Sequence, residues 1–333
     1  MTARRILVIR LGAFGDMMQS FPAFAAIRAH HPGAHITLLT TAPFVQLTEA
    51  SPWFDEVWSG GRPAWRDIRA VWRLARRLRG GRFDRVYDLQ TSRRSSLYRL
   101  GVGRGVEWSG IARGASHRHD TPQRTRLLTL PRQQEQLRIA GITTFPAPDL
   151  DWLAADVAGL GLPARFWLMV PGASARAPEK RWPAAHYAEL ARAIALPAVV
   201  VGGPAERELA ASIRAAAPDT IDLTGDLSPP PVLAGLARRA AFAVGNDTGP
   251  LHLIAAMGCP TLALFGPRSD AAIHRPQGPR TTVLAARDLA DLPPVEVRAA
   301  LAAFLPPGIR EAAGLPLTLS LIHISEPTRL RRI

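Results

Sequence analysis

The sequence predicts an α/β protein with two doubly wound parallel sheets that face a central cleft. The chain has 333 residues, of which 47% are hydrophobic, and this composition is typical of a globular protein rather than a disordered one. At roughly 100–200 residues per domain, the length accommodates two domains. Short apolar runs repeatedly end in glycine loops that lead into helical patterns. In such sheets, ligands bind at the carboxyl ends of the strands.

The first half of the chain begins with a strand, a glycine turn, a helix and a second strand. Continuous β-branched and apolar runs predict buried parallel strands over 6–9 and 34–40, with a helix over 17–30 between them. A further strand is predicted over 83–89, and a helix over 64–79. One face of that helix is apolar and arginines fill the other. The apolar positions are Trp65, Ile68, Trp72, Ala75 and Leu78.

The second half repeats the same unit several times, which predicts a second doubly wound sheet. The predicted strands are 166–170, 198–201, 220–223, 241–244 and 261–265. The predicted helices are 182–195, 206–216, 232–239 and 251–257.

Arginine is concentrated in one part of the chain. Residues 62–138 hold 19 arginines against six acidic residues, whereas the whole chain has a net charge of +14. This patch predicts an anionic partner, either a nucleic acid, an acidic membrane surface, or a phosphorylated or carboxylated substrate. Alternatively, the arginines reflect arginine-rich codon usage and lie on solvated helix faces without a partner. The single lysine, Lys180, favours a site that needs a compact charge rather than a planar guanidinium.

Other features limit the class of protein. One cysteine, Cys259, excludes a disulfide framework and a cysteine-based zinc site. The sequence shows no signal-peptide pattern and no run of ~20 apolar residues, so we expect a soluble cytoplasmic protein. Residues 319–329, LSLIHISEPTR, resemble the translation of a transposon adapter used in sequencing libraries. We therefore expect 319–333 to be a read-through artefact without a functional role.

Three loops could carry chemistry. The turn at 12–16 presents backbone N–H groups at a helix N-terminus, which favours binding of an anion. Its spacing is not the GxGxxG of dinucleotide-binding loops. Asp16 alone could be no more than a favourable charge at the helix N-terminus. In the loop 171–182, Ser174, Arg176 and Lys180 could converge on a diphosphate.

The third loop, GNDTGPLH over 245–252, opens a helix with two glycines and a threonine hydroxyl. Asp247 could accept a hydrogen bond from a sugar hydroxyl, or could simply cap the helix. His252 lies one turn into the helix and could equally be a core histidine.

Three segments in this order resemble glycosyltransferase family 9, the ADP-heptose:lipopolysaccharide heptosyltransferase family. They are LVIRLGAFGDMMQSFPAFAAIR, PGASARAPEKRWPAAHYAELA and AVGNDTGPLHLIAAMGCPTLALFGPRSD, and the resemblance spans about residues 5–304. It implies the GT-B fold, with two Rossmann-like domains. Residues 1–155 would bind the acceptor, residues 156–305 the nucleotide sugar, and 306–333 would form a tail.

The resemblance also implies an inverting sugar transfer without a metal site or a cofactor, from a nucleotide-sugar co-substrate that we expect to be ADP-heptose. Asp16 matches the general base, within an acceptor-side loop that includes Gly12 and Gly15. Lys180 matches the diphosphate-binding lysine, with Ser174 at or near the accompanying hydroxyl position.

On the donor side, the resemblance implies that Asp247, Thr248 and Gly249 hold the sugar and the diphosphate, followed by His252. Glu206 is matched to the acid that contacts the ribose of the donor.

The expected acceptor is an anionic lipopolysaccharide-type glycan. The helix at 64–79 could then rest peripherally on the cytoplasmic face of the inner membrane, or could be an ordinary amphipathic helix packed on the sheet. His117, His119 and Asp120 have a spacing that is found among metal ligands, but we expect these residues to lie in a loop near the acceptor site instead.

Two other functions remain open: transfer with another nucleotide sugar or glycan, and nucleic-acid binding through the arginines. We expect no nucleic-acid partner, because the chain lacks RNP, helix-turn-helix and zinc motifs.

Overall fold

Two parallel six-stranded sheets organise the chain in the computed structural model, which describes residues 4–173 and 177–315. The strands of the first sheet are β1 (Arg5–Ile9), β2 (His35–Leu39), β3 (Glu56–Trp58), β4 (Arg85–Asp88), β5 (Glu107–Gly110) and β6 (His117–Arg118). The accompanying helices are α1 (Phe14–Met18), α2 (Phe21–His30), α3 (Val45–Glu49), α4 (Ile68–Gly80), α5 (Arg93–Val102) and α6 (Thr129–Ile139).

The second sheet is built in the same way. Its strands are β7 (Trp167–Val170), β8 (Ala198–Gly202), β9 (Ile221–Thr224), β10 (Ala243–Asn246), β11 (Thr261–Phe265) and β12 (Thr281–Ala285). Its helices are α7 (Ala184–Ala193), α8 (Arg207–Ala216), α9 (Pro230–Arg239), α10 (Gly249–Ala256), α11 (Ala271–His274), α12 (Pro294–Phe304) and α13 (Pro307–Ala312).

The two sheets share one topology. Their strand orders are β3-β2-β1-β4-β5-β6 and β12-β11-β10-β7-β8-β9. Read from β9 to β12, the second sheet has the same order as the first: third, second, first, fourth, fifth and sixth strand. The order reverses between β1 and β4 and between β7 and β10, and crevices for ligands form at such points outside the carboxyl ends of the strands. The predicted doubly wound fold is confirmed.

The two sheets also share a hydrophobic core. One cluster of buried side chains runs from Ile6 of the first sheet through Met17 of α1 and Leu251 of α10 to Val170 of the second sheet. The cluster continues through Leu153 of the connecting segment. The N-terminal helix α1 therefore packs directly against α10 of the other half.

Two predicted helices differ in the structure. The helix predicted over 17–30 is divided into α1 and α2, with Gln19 and Ser20 between them. Pro22 explains the break, because it has no N–H to donate to the carbonyl of Met18 and so cannot extend the ladder of α1.

The helix predicted over 64–79 begins later, at Ile68, where the Asp67 carboxylate accepts a hydrogen bond from the N–H of Ala70 at 2.9 Å. Its buried side chains are Leu74 and Leu78, which pack on the first sheet. The predicted apolar face is wrong in part, since Trp65, Ile68 and Trp72 are exposed. Among the described residues, no helix is both long enough and apolar enough to span a bilayer.

Candidate active site

Asp16 lies in the first turn of α1, beyond the carboxyl end of β1. Its Oδ2 accepts a hydrogen bond from the N–H of Ala13 at 3.2 Å, and its Oδ1 lies 3.2 Å from Nη2 of Arg10. Arg10 is buried and also donates to the carbonyl oxygens of Leu89 and Asp16. The Asp16 side chain is 43% exposed. The carboxylate is thus held in one orientation while part of it remains accessible to a second molecule.

The two glycines of this loop allow close packing. Gly12 has φ +113°, and a Cβ on it would lie 2.7 Å from Cε2 of Phe44. A Cβ on Gly15 would lie 2.7 Å from Cδ2 of His252 in the other half of the molecule. Gly15 therefore belongs to the contact between the two domains.

Lys180 and Asp247 form an ion pair beside the carboxyl end of β10. Lys180 Nζ lies 2.9 Å from Asp247 Oδ2 and donates to Ser269 Oγ at 2.9 Å. Ser269 in turn donates its hydroxyl proton to Asp247. The side chains of Lys180 and Asp247 are only 23% and 11% exposed. We refer to Lys180, Asp247 and Ser269 as the donor-side cluster.

The electrostatics of the donor-side cluster keep Asp247 ionised. Burial on its own would raise the pKa of Asp247, but the interactions with His252, Ser269 and Lys180 hold that pKa far below its usual value. The helix-cap interpretation of Asp247 is wrong, because Thr248 occupies the N-cap position of α10. Asp247 is instead available to accept hydrogen bonds just before the helix begins.

Thr248 and Gly249 open α10 at the domain interface. Thr248 is partly exposed, and no side-chain hydrogen bond of its own caps the helix. A Cβ on Gly249 would lie 2.8 Å from Cδ1 of Phe14 and 3.3 Å from the backbone nitrogen of Gly15. The N-termini of α1 and α10 consequently meet, and the positive end of the α10 dipole lies near Asp16's helix.

His252 connects the two domains. It is buried, as expected of a core histidine, but both of its ring nitrogens have polar neighbours. Nδ1 lies 2.8 Å from Nε2 of Gln19, whose Oε1 accepts from Gln277 at 3.0 Å. This amide orientation makes Nδ1 the acceptor, so the Nε2 proton points to Asp247 Oδ1 at 3.6 Å.

Glu206 lies at the carboxyl ends of β7 and β8. Its Oε2 accepts from the N–H of Gly203 at 2.8 Å, and its side chain lies against Gly172 and Gly202, where a Cβ would approach within 3.0 Å. No hydrogen bond or ion pair between described residues joins Glu206 to the donor-side cluster. Ser174 and Arg176 lie outside the described residues.

Asn246 has a structural role that the sequence did not reveal. Its side chain is fully buried and accepts hydrogen bonds from the N–H of Trp182 and the hydroxyl of Tyr187, both at 3.1 Å. Its Nδ2 donates to the carbonyls of Pro171 and Gly172 at 2.7 and 3.3 Å. Asn246 thus joins Pro171 and Gly172, directly after β7, and Trp182, further along the chain, to the end of β10.

Sequence reasoning also missed Arg10, Gln19 and Ser269, although each lies inside a segment quoted for the family resemblance. Gln19 and Ser269 act through contacts between distant parts of the chain, which no local spacing indicates. Arg10 is only six residues from Asp16, but its burial and its bond to Leu89 depend on the fold.

The histidines at 117 and 119 have separate partners. His119 Nε2 lies 3.5 Å from Glu135, His117 lies 3.8 Å from Glu107, and Asp120 pairs with Arg118. Within residues 4–173 and 177–315, no three His, Cys, Asp or Glu side chains are grouped so that they could hold a metal ion.

Comparison with known proteins identifies the family. The model for "Glycosyltransferase family 9 (heptosyltransferase)" matches residues 71–301. The chain belongs to glycosyltransferase family 9. The resemblance to this family is therefore confirmed, with the segments around Lys180 and Asp247 inside the matched residues and the segment around Asp16 before them. The chain is a heptosyltransferase-like glycosyltransferase.

Relatives of known sequence and structure agree with this assignment. Lipopolysaccharide heptosyltransferase 2 of Escherichia coli is 28% identical over 296 residues, covering 80% of this chain and 83% of that protein. The solved E. coli ADP-heptose lipopolysaccharide heptosyltransferase II is 25% identical, with a TM-score of 0.70 over 90% of this chain and 98% of that one. The E. coli heptosyltransferase WaaC, solved with ADP-2-deoxy-2-fluoro heptose, is 20% identical with a TM-score of 0.69, over 90% of this chain and 99% of that one. The fold of this family 9 chain is accordingly GT-B.

Proposed function

We propose that this family 9 glycosyltransferase transfers heptose from ADP-heptose to an anionic lipopolysaccharide-type acceptor, with inversion and with Asp16 as general base. One observation carries the proposal: the helix that holds Asp16 and the helix that follows Asp247 meet at their N-termini, with Gly249 against Phe14 and Gly15. Asp16 belongs to the first of these helices, and Asp247, the partner of Lys180, directly precedes the second.

Inverting transfer needs these two groups on opposite sides of the anomeric carbon. A base removes the acceptor proton on one side while charge develops on the departing diphosphate on the other. We assign the first role to Asp16, oriented by Arg10. We assign the second to Lys180 and the N–H groups at the start of α10, in place of a metal ion.

The donor would rearrange the donor-side cluster. In the structure Lys180 is bound to Asp247, so a diphosphate would compete for the Nζ protons while Asp247 accepts hydrogen bonds from sugar hydroxyls. Ser174 would add a hydroxyl, and Glu206 would contact the ribose. ADP-heptose is favoured because the curated relatives named above are heptosyltransferases and one neighbour was solved with a fluorinated ADP-heptose.

Charge on the acceptor side favours an anionic acceptor. Burial lowers the pKa of the half-buried Arg132, Coulomb attraction to Asp16 opposes this, and Arg124 lowers it further. Arg124 and Asp16 therefore both contribute to the electrostatic environment of Arg132. An acceptor carboxylate or phosphate would relieve the repulsion between the two guanidinium groups.

Donor specificity is tested by calorimetric titration of the full chain with ADP-heptose, ADP-glucose, UDP-glucose and GDP-mannose. We expect selective binding of ADP-heptose and its loss in Lys180→Ala. Preference for another nucleotide sugar would keep the fold but overturn the assigned donor. Binding of none of the four would contradict the donor site itself.

The base is tested with Asp16→Asn in a transfer assay, together with the anomeric configuration of the product by NMR. Loss of general-base catalysis should lower turnover roughly 10²–10⁴-fold with donor affinity unchanged. Asp67→Asn is a matched control, because Asp67 is also a carboxylate at a helix N-terminus of the same domain. Normal turnover in Asp16→Asn, or retention of configuration, would contradict the proposal.

A further inference from the structure

An apolar surface on α4, α5 and the loop before α4 is exposed to solvent. Five large apolar side chains are each more than half exposed: Trp65, Ile68, Trp72, Leu97 and Leu100. We call this set the α4–α5 surface. The other exposed large apolar side chains of the described residues, Ile139, Leu160, Leu227 and Val295, lie singly on separate elements.

The two helices also leave a groove between them. It has a volume of about 310 Å³ and is lined mainly by apolar side chains, including Val71, Ala75, Leu97 and Leu100. Contiguous exposed apolar patches of this kind mark interaction sites on proteins, whereas isolated apolar side chains do not.

The surface is surrounded by positive charge. Residues 62–82 and 93–104 together contain twelve arginines and one acidic residue, Asp67. The guanidinium of Arg94 lies 4.2 Å from the ring centroid of Trp65, and that of Arg76 lies 5.6 Å from the ring of Trp72. Indole rings, aliphatic side chains and cations are therefore intermixed on one face.

We propose that the α4–α5 surface binds the headgroup region of an anionic lipid bilayer. Aromatic and aliphatic side chains insert at the boundary between headgroups and acyl chains, and arginines bind anionic headgroups. Charge argues against a second copy of the chain, because a two-fold contact would bring the arginines of both copies together. The aliphatic Ile68, Leu97 and Leu100 have no phosphate or base edge to contact in a nucleic acid, so a bilayer fits the surface better.

The position of the surface relates it to the reaction cleft. Helices α4 and α5 each follow a strand of the first sheet, so they begin at the carboxyl edge where Asp16 lies. The hydroxyl of Tyr98 in α5 donates to the carbonyl of Gly61, whose N–H donates to Thr40 at the end of β2. The first residues of the surface, Trp65 and Ile68, therefore lie towards the sheet edge that carries Asp16, where a bilayer would present a lipid-linked acceptor. Only this last step, the delivery of a lipid-linked acceptor, rests on the proposed function.

The test is co-sedimentation of the full chain with vesicles of phosphatidylcholine, with and without phosphatidylglycerol. We expect binding only to the anionic vesicles, and weaker binding as salt is raised. Trp72→Ser combined with Leu100→Ser should lower the partition coefficient roughly tenfold or more, since both side chains would leave the interface. Arg69→Gln and Arg73→Gln should each lower it roughly fivefold, from about 1 kcal/mol per arginine.

Leu227→Ser combined with Val295→Ser is the matched control, because these side chains are equally exposed but lie on the other domain. All variants should keep the wild-type thermal unfolding transition. The proposal is overturned if the chain does not bind anionic vesicles, or if the control variant loses as much binding as the surface variant. It is also overturned if the surface variant instead abolishes self-association or affinity for duplex DNA. Vesicle binding without sugar transfer would contradict the proposed function alone.

Discussion

Removing the cation of the donor-side cluster should weaken both folding and donor binding, and the two effects can be separated. Lys180→Met keeps most of the side-chain volume but leaves the largely buried Asp247 without its 2.9 Å partner. Breaking a fully buried ion pair costs 3–5 kcal/mol. Because the Lys180 side chain is 23% exposed, solvent screens the pair and we expect a loss of about 2 kcal/mol.

A double-mutant cycle isolates this pair. Asp247→Asn alone should also be destabilising, and the double variant should recover roughly 1–2 kcal/mol relative to the sum of the single losses. Stability is measured by urea denaturation, and ADP affinity by calorimetry. ADP affinity should fall tenfold or more in Lys180→Met, at about 1.4 kcal/mol per factor of ten, and should stay low in the double variant.

The pH dependence has a defined sign. The pKa of Asp247 is lower in the folded state than its unfolded value of about 3.9, so its contribution to stability is present above that pH and is lost as pH falls below it. Lys180→Met should reduce this acid-dependent loss. Arg268→Met is the control, since Arg268 pairs with Glu179 on the surface, where solvent screens the pair, and its loss should change stability little. Equal stabilities of the two variants, with ADP affinity unchanged, would refute the reasoning.

Three further changes test other contacts. Burial lowers the pKa of His31 to about 4, so the free energy of unfolding should fall by roughly 2–3 kcal/mol as pH drops from about 6.5 towards 4. His31→Gln, which can still bond the Tyr87 hydroxyl, should flatten this profile when urea denaturation is measured at several pH values. Gly15→Ala adds a methyl group 2.7 Å from the His252 ring, and it should lower turnover roughly tenfold or more while ADP affinity is largely kept. Unchanged turnover would contradict a tight contact between the two domains at this residue. Asn246→Ala removes four buried hydrogen bonds and should cost roughly 3 kcal/mol or more by denaturation, and a loss below about 1 kcal/mol would show that the loop after β7 is held by other contacts.

The strands that could be predicted most directly are those whose sequence is almost entirely apolar. β7, β8 and β11 are buried along their whole length, and their runs of Val, Leu and Ala indicate burial on both faces. The sequences of β5 and β6, EWSG and HR, are short and polar, and their pairing is set by neighbouring strands rather than by their own residues. No periodicity in the sequence indicates such short strands.

The face of α4 shows a similar limit. The sequence offers apolar residues over nearly half of the helix circumference, and the contact with the sheet selects Leu74 and Leu78. Trp72 and Ile68 remain outside that contact and became informative only once their exposure was known.

The sequence predicted which loops carry the site, but not which side chains of those loops contact one another. Glycine turns after strands predicted where backbone N–H groups would be presented, and the loop segments are indeed at the carboxyl ends of their strands. Within the donor-side cluster, Lys180 is 67 residues from Asp247 and 89 residues from Ser269. In the neighbouring interdomain contact, Gln19 is 233 residues from His252. Sequence spacing contains no information about such pairs, because they arise from the topology of two sheets and the packing between them.

The interdomain contact leads us to expect that the predicted base and the donor-side cluster depend on each other. Helix α1 has only five residues, and it is held by Arg10 on the side of the first sheet and by Gln19, just after its end, on the side of His252. His252 in turn points to Asp247, the carboxylate bound to Lys180. A donor that draws Lys180 away from Asp247 would change the charge that His252 faces. The other partner of His252 is Gln19, directly after the helix that carries Asp16. We therefore expect the position of Asp16 to depend on both domains, so that a change near Lys180 should be detectable in turnover even where no residue of the first domain is altered.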